Sequence, residues 1–110
     1  MRIVDIYSNG IKAGELLEKY PGKGYEFRYD TSYLHSDSPH ISVTMPKRET
    51  PYTADGLFPF FFNMLPEGFN KNNLCRYYKI DENDAFGLLQ LLADGGEFVG
   101  AVEARLHNIQ

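Results

Sequence analysis

The sequence has no tryptophan and a single cysteine, Cys75, in 110 residues. One cysteine excludes an internal disulfide framework and every multi-cysteine zinc motif, and it suits a reducing compartment. Long apolar runs are missing as well. None approaches the ~20 residues that cross a bilayer, and Met1-Arg2-Ile3-Val4-Asp5 alternates like a strand instead of opening a secretory leader. Positive charge is scarce: 11 Lys and Arg stand against 15 Asp and Glu, a net charge of −4. That balance disfavours direct nucleic-acid binding, whose affinity comes largely from neutralising phosphates. These absences lead us to expect a cytoplasmic protein with no membrane association. The length is short for most independent catalytic folds, which points to a binding module or a piece of something larger. What is present suffices for a core. Hydrophobic residues make up 43% and aromatics 15%, all Phe and Tyr, enough for one domain spanning residues 1–110.

The first half reads as strands. Ile3, Val4 and Ile6 precede Asn9-Gly10, a strong two-residue hairpin signal, and Ile11, Ala13, Leu16 and Leu17 follow it. Pro21-Gly22-Lys23-Gly24 marks a turn into a third strand carrying Tyr25, Phe27 and Tyr29. After a polar connection with Tyr33 and Leu34, the alternation of Ile41, Val43 and Met45 predicts a fourth strand. The second half changes period. Leu57 to Leu65 predicts a short helix with Pro59 in its first turn and Thr53 or Asp55 as cap. A second helix is expected over 69–79, with Leu74, Tyr77 and Tyr78 inward. A third starts near Asp81 or Asp84, carries Ala85, Leu88, Leu89 and Leu92, and stops at Gly95. Phe98, Val99, Ala101, Val102 and Leu106 then form a last strand that rejoins the sheet. The fold class expected is α+β: a small antiparallel sheet of about five strands, a meander or partial barrel, packed with about three short helices.

Motifs for catalysis, cofactors and metals are absent from the linear sequence. His35, His40 and His107 lack ligand spacing. Ser36-Asp37-Ser38-Pro39-His40 holds triad letters crowded into one loop, whereas a triad converges from separate elements around an oxyanion hole. Asp94-Gly95-Gly96-Glu97-Phe98-Val99-Gly100 joins a helix to a strand, the reverse of a phosphate cradle, and its two acids would repel phosphate. Most carboxylates fall at turns or helix starts, where they complement the helix dipole. Cys75 reads as a structural thiol.

One segment exceeds what a core requires. Seven of the nine residues from Leu57 to Leu65 are strongly apolar, with four Phe in the five positions from Phe58 to Phe62. Such a helix is either buried on several sides or presents some aromatics to a partner. Phe69, placed after the Pro66-Glu67-Gly68 turn, is either a staple on the preceding helix or a projecting interface anchor.

Read together, these segments resemble the N-terminal subdomain of HipA-type toxin kinases. The likeness covers nearly the whole chain. It rests on Asn9-Gly10 followed by Ala13-Gly14-Glu15-Leu16, on Phe27-Arg28-Tyr29 before Tyr33-Leu34, and on Ile41-Ser42-Val43-Thr44-Met45-Pro46. It continues through Pro51-Tyr52-Thr53, Phe60-Phe61-Phe62-Asn63-Met64-Leu65-Pro66-Glu67-Gly68, Asp84-Ala85-Phe86-Gly87-Leu88-Leu89 and Gly100-Ala101-Val102. Asn-x-Leu-Pro and Gly-Ala-Val are the more specific pieces, and their shared order strengthens all of them.

The resemblance implies a role without chemistry. In the family the subdomain precedes a kinase body that carries ATP, magnesium and the catalytic aspartate. Here the sequence stops shortly after Val102, so no residue is expected to be catalytic or to bind a cofactor. The chain looks like the stand-alone HipS-type antitoxin of split HipBST-like systems. Its expected partner is a HipT- or HipA-like serine/threonine kinase toxin, with a HipB-like helix-turn-helix protein as a further partner. The expected contact residues are Phe61, Met64, Leu65, Pro66, Glu67, Gly68 and Phe69. The alternative is a non-inhibitory scaffold that bridges the kinase to the DNA-binding protein.

Overall fold

Asn9 at φ 51° and Gly10 at φ 80° reverse the chain between β1 (Arg2–Ser8) and β2 (Ile11–Tyr20). Two positive φ values are what a tight hairpin loop demands, and they set Ser8 opposite Ile11. The computed structural model describes residues 1–65, 73, 75–77, 79–81, 83–96, 98 and 100–107. After Pro21-Gly22 the chain returns as β3 (Lys23–Tyr29). Two further strands extend the sheet at its edges, β4 (Tyr52–Ala54) beside β3 and β5 (Val102–Leu106) beside β1. The order is β4-β3-β2-β1-β5 and every pairing is antiparallel.

A bulge between Ile6 and Tyr7 moves the β1–β2 register: Ile6 faces Gly14 and Tyr7 faces Lys12. The extra residue, Ala13, lets both Ala13 and Leu16 bury although they stand three apart. Opposed residues share a face, so the two faces differ sharply. Val4, Leu16 and Phe27 line one; Asp5, Glu15, Arg28 and Arg105 line the other. The apolar face packs with α1 (Thr31–Leu34), α2 (Pro59–Phe62), α3 (Ala85–Gly95) and a helical turn at 73 and 75–77. Tyr33, Phe61, Cys75, Phe86, Leu88 and Leu89 join its core. Rings meet across the layers, Phe27 with Phe61 at 5.4 Å and Tyr25 with Phe86 at 6.2 Å.

Several expectations need correction. The strand expected at Ile41, Val43 and Met45 is a tight turn closed by a Ser42–Met45 bridge, and β4 supplies the fourth strand instead. Its backbone is claimed by a side chain. The Tyr29 hydroxyl donates to the Met45 carbonyl and accepts the Ile41 N–H at 3.1 Å, burying Ile41 and Met45 and leaving Val43 exposed at the tip. Pro59 does occupy the first turn of α2, but neither Thr53 nor Asp55 caps it. Phe58 is the cap residue and makes no side-chain cap bond, while Thr53 is held in β4 opposite Glu26.

Tyr77 points outward, 79% exposed, because Cys75 takes the buried position of that turn and residues two apart on a helix face opposite ways. Leu74 and Tyr78 lie outside the described residues. The turn ends with Lys79 at φ 58° and the Ile80 N–H on the Cys75 carbonyl at 2.9 Å, a Schellman closure. The last strand begins only at Val102, after Gly100 at φ 115°; Ala104 is its buried residue and Leu106 is exposed. At α3, Asp84 is the cap, accepting the Gly87 N–H at 3.0 Å, and the left-handed stop falls on Gly96, one residue past Gly95.

Candidate functional site

The aromatic segment divides by side of the helix. Phe61 is 0% exposed and wedged among Phe27, Phe58 and Phe60, with ring centroids 5.4, 6.0 and 5.3 Å away. Leu65 is buried with it. These two of the expected contact residues serve the core. Phe62, the neighbour of Phe61, is 48% exposed. Leu57, Phe58, Phe60 and Met64 are half-buried, packed against the core with part of their surface in solvent. A four-residue helix has too little surface to hide three consecutive phenylalanines, so burying Phe61 turns the next ring outward. The other expected contacts, Pro66, Glu67, Gly68 and Phe69, lie outside the described residues.

A polar lock lies at the junction of sheet and α3. Arg2 donates from Nη1 and Nη2 to both Asp84 oxygens at 3.0 and 2.8 Å, and from Nε to Glu18 at 2.7 Å. Glu18 is only 2% exposed and also accepts from the Tyr25 hydroxyl at 2.8 Å and the Gly22 N–H at 3.2 Å. These residues line an open pocket of about 460 Å³ with Lys19, Asp81 and Ala85. Hydrogen bonding to Asp84, then to Glu18, raises the Arg2 pKa against the opposing effect of burial. The same bond from Arg2 holds the Asp84 carboxyl below its ordinary value. Every polar group named here is satisfied, which makes this a structural junction.

The charged sheet face holds a second cluster that linear spacing conceals. His107 Nδ1 lies 2.8 Å from Asp5 Oδ1 and 3.3 Å from Glu15 Oε2. Lys12 Nζ lies 3.6 Å from Asp5 and 3.8 Å from Glu15. Burial opposes the Lys12 charge, but Asp30, Asp5 and Glu15 outweigh it and raise the ammonium pKa; burial raises that of Asp30. Asp5, Glu15 and His107 offer three donor atoms within 4.8 Å of one another, a metal-capable group among the described residues. Residues 102 positions apart carry no spacing signal; the β1–β5 pairing alone unites them.

Several of the remaining candidates of the sequence have structural uses, while His35 and His40 are exposed. The Ser36 hydroxyl bonds the Tyr33 carbonyl at 2.7 Å and receives the Ser38 N–H at 3.2 Å, so it serves the loop's own turn. Lys47 binds the Ser36 and Ser38 carbonyls, both at 2.8 Å, and Arg48 stacks 3.6 Å over the Tyr52 ring. Cys75 is buried. No helix among the described residues is long and apolar enough to cross a membrane.

Comparison with known proteins fits this architecture. The family model of the HipA N-terminal domain matches residues 4–105. The chain belongs to the HipA N-terminal domain family. A solved structure described as the N-terminal domain of HipA toxin superposes with a TM-score of 0.72 at 26% identity, covering 100% of this chain and 96% of that one. A curated protein of Haemophilus influenzae (strain ATCC 51907 / DSM 11121 / KW20 / Rd) is 33% identical over 81 residues, 74% of this chain and 72% of its own length. Membership ties this HipA N-terminal domain to toxin–antitoxin systems and to a subdomain that is non-catalytic in the family.

Proposed function

We propose that this HipA N-terminal domain, taken as one domain over residues 1–110, binds and neutralises a separate HipA/HipT-type serine/threonine kinase toxin. The observation that carries the reading is the outer side of α2. Phe62 stands 48% exposed in a segment whose Leu57, Phe58, Phe60 and Met64 are half-buried, and Pro66-Glu67-Gly68-Phe69 follow it in the sequence. Exposed apolar surface concentrated in one segment is a feature that interaction sites share. Aromatic side chains carry most interface energy when a partner closes over them. Family membership supplies the class of partner, and the net charge of −4 is consistent with a protein surface in preference to a nucleic acid.

The experiment is co-expression with the cognate kinase, scored by growth, beside a phosphorylation assay on purified proteins. Wild type is expected to restore growth and suppress phosphorylation. Phe62→Ala and Phe69→Ala, each folded by circular dichroism, are expected to weaken neutralisation at least tenfold in dose. Full rescue by both variants would overturn the assignment of this surface. A stable complex with undiminished kinase activity would instead favour the scaffold role, bridging to a HipB-like DNA-binding protein.

A further inference from the structure

The charged sheet face, opposite the α2 surface, carries a group of side chains that antitoxin function leaves unused. We propose that Asp5, Glu15 and His107 form a binding site for one divalent transition-metal ion, with Zn²⁺ as the expected occupant. The three come from neighbouring strands. Asp5 on β1 pairs with Glu15 on β2 and with Arg105 on β5, and His107 follows two residues later, so two hydrogen-bonded ladders back the site.

The donor distances suit such an ion. Ligands at ~2.0–2.2 Å from a tetrahedral zinc lie roughly 3.3–3.6 Å from one another. His107 Nδ1 and Glu15 Oε2 are already 3.3 Å apart; His107 Nδ1 and Asp5 Oδ1, at 2.8 Å, need to open by roughly half an ångström. One imidazole with two carboxylates is a donor set for a borderline ion, whereas Mg²⁺ and Ca²⁺ prefer oxygen alone. The fourth position is left to water.

Charge supports the same reading. Asp5 is 4% exposed, and a carboxylate is seldom buried so deeply without cationic compensation. Lys12 provides it loosely: at 3.6 and 3.8 Å it neutralises both acids without hydrogen-bond contact distance. The other cations of this face are committed, Arg28 to Glu26 at 3.3 Å and Arg105 to Glu103. A bound ion therefore displaces one flexible ammonium into solvent, and His107 coordinates through Nδ1 in its neutral form.

The test is isothermal titration with Zn²⁺ on the wild-type chain, with Co²⁺ absorption as a second readout of tetrahedral nitrogen–oxygen ligation. One ion per chain is expected, with Tm rising as zinc is added. His107→Ala, at the half-buried position after β5, is expected to weaken binding at least tenfold, and Glu15→Gln to do the same. Lys12→Met is expected to tighten it. No zinc uptake by wild type would overturn the proposal. So would equal uptake by wild type and both ligand variants, which would place the ion on the exposed His35 or His40.

Discussion

The Arg2 guanidinium grips both oxygens of the Asp84 carboxylate, at 2.8 and 3.0 Å across 82 residues of chain. Asp84 is also the cap of α3, so one carboxylate starts the helix and fastens it to the first strand. Beneath them Arg2 compensates the buried Glu18. Removing Arg2 leaves that acid with only the neutral donors Tyr25 and Gly22. Breaking a fully buried pair costs ~3–5 kcal/mol, and Arg2 is partly exposed, so Arg2→Met is expected to lose about 2–3 kcal/mol in urea unfolding. Glu18→Gln should lose less, because the amide needs no counterion.

Acid should weaken the same junction. Asp84 has a lowered pKa in the folded protein, chiefly through its bond from Arg2. Its contribution is therefore complete above the unfolded carboxyl value of ~3.9 and declines as pH falls through the folded value. Unfolding measured from pH 6 to pH 2 should show this loss in wild type. Asp84→Asn should show a shallower slope over the same window.

Alkali should act through two tyrosines. Burial first, then the Glu18 hydrogen bond, pushes Tyr25 from 10.0 to about 12; burial pushes Tyr29 to about 12 against the opposing Ile41 N–H bond. A raised folded pKa gives stability that is full below pH ~10 and lost as pH climbs toward the folded value. Absorbance titration of the phenols should show two late ionisations, and urea unfolding should show the loss between pH 10 and 12. Tyr25→Phe should remove one late ionisation and leave the other.

The adjacent rings of α2 should separate folding from binding. Phe61 is wholly buried, so Phe61→Ala is expected to cost about 3–5 kcal/mol. Phe62 is half in solvent, and Phe62→Ala should cost about 1 kcal/mol or less in the same measurement. Comparable costs would mean that the outer ring is also part of the core.

What the sequence made legible follows from local physics. Asn9-Gly10, Pro59 and Asp84 act within a few residues of themselves, and the hairpin, the helix start and the cap they announce are present. The β4 strand was hidden because Ile41, Val43 and Met45 alternate better than Tyr52–Ala54 does, and only the long-range Tyr29 hydroxyl decides against them. The aromatic excess at 57–65 was visible, whereas its division into a buried Phe61 and an exposed Phe62 depends on where the sheet lies. Glu18 and His107 carry no signal at all. The charged partners, Arg2 for Glu18 and Asp5 with Glu15 for His107, come from other strands and are brought close by register.

Register also fixes one position in the sheet with little tolerance. Gly14 sits at the bulge opposite Tyr29, and a Cβ there would stand 2.1 Å from the Arg28 carbonyl oxygen. That oxygen is backbone inside the sheet and cannot swing aside, so Gly14→Ala must part β2 from β3 locally. Overpacking usually costs ~1–3 kcal/mol, and a main-chain clash this close belongs at or above the top of that range. Gly10 is a useful control, with open space for a Cβ but φ at 80°. Gly10→Ala should cost only the left-handed strain, about 1 kcal/mol. Urea midpoints for the two variants should therefore differ widely, and Gly14→Ala should in addition speed amide exchange along the β2–β3 ladder. Equal midpoints would show that the bulge yields, and that the approach of β2 to β3 is not what requires glycine there.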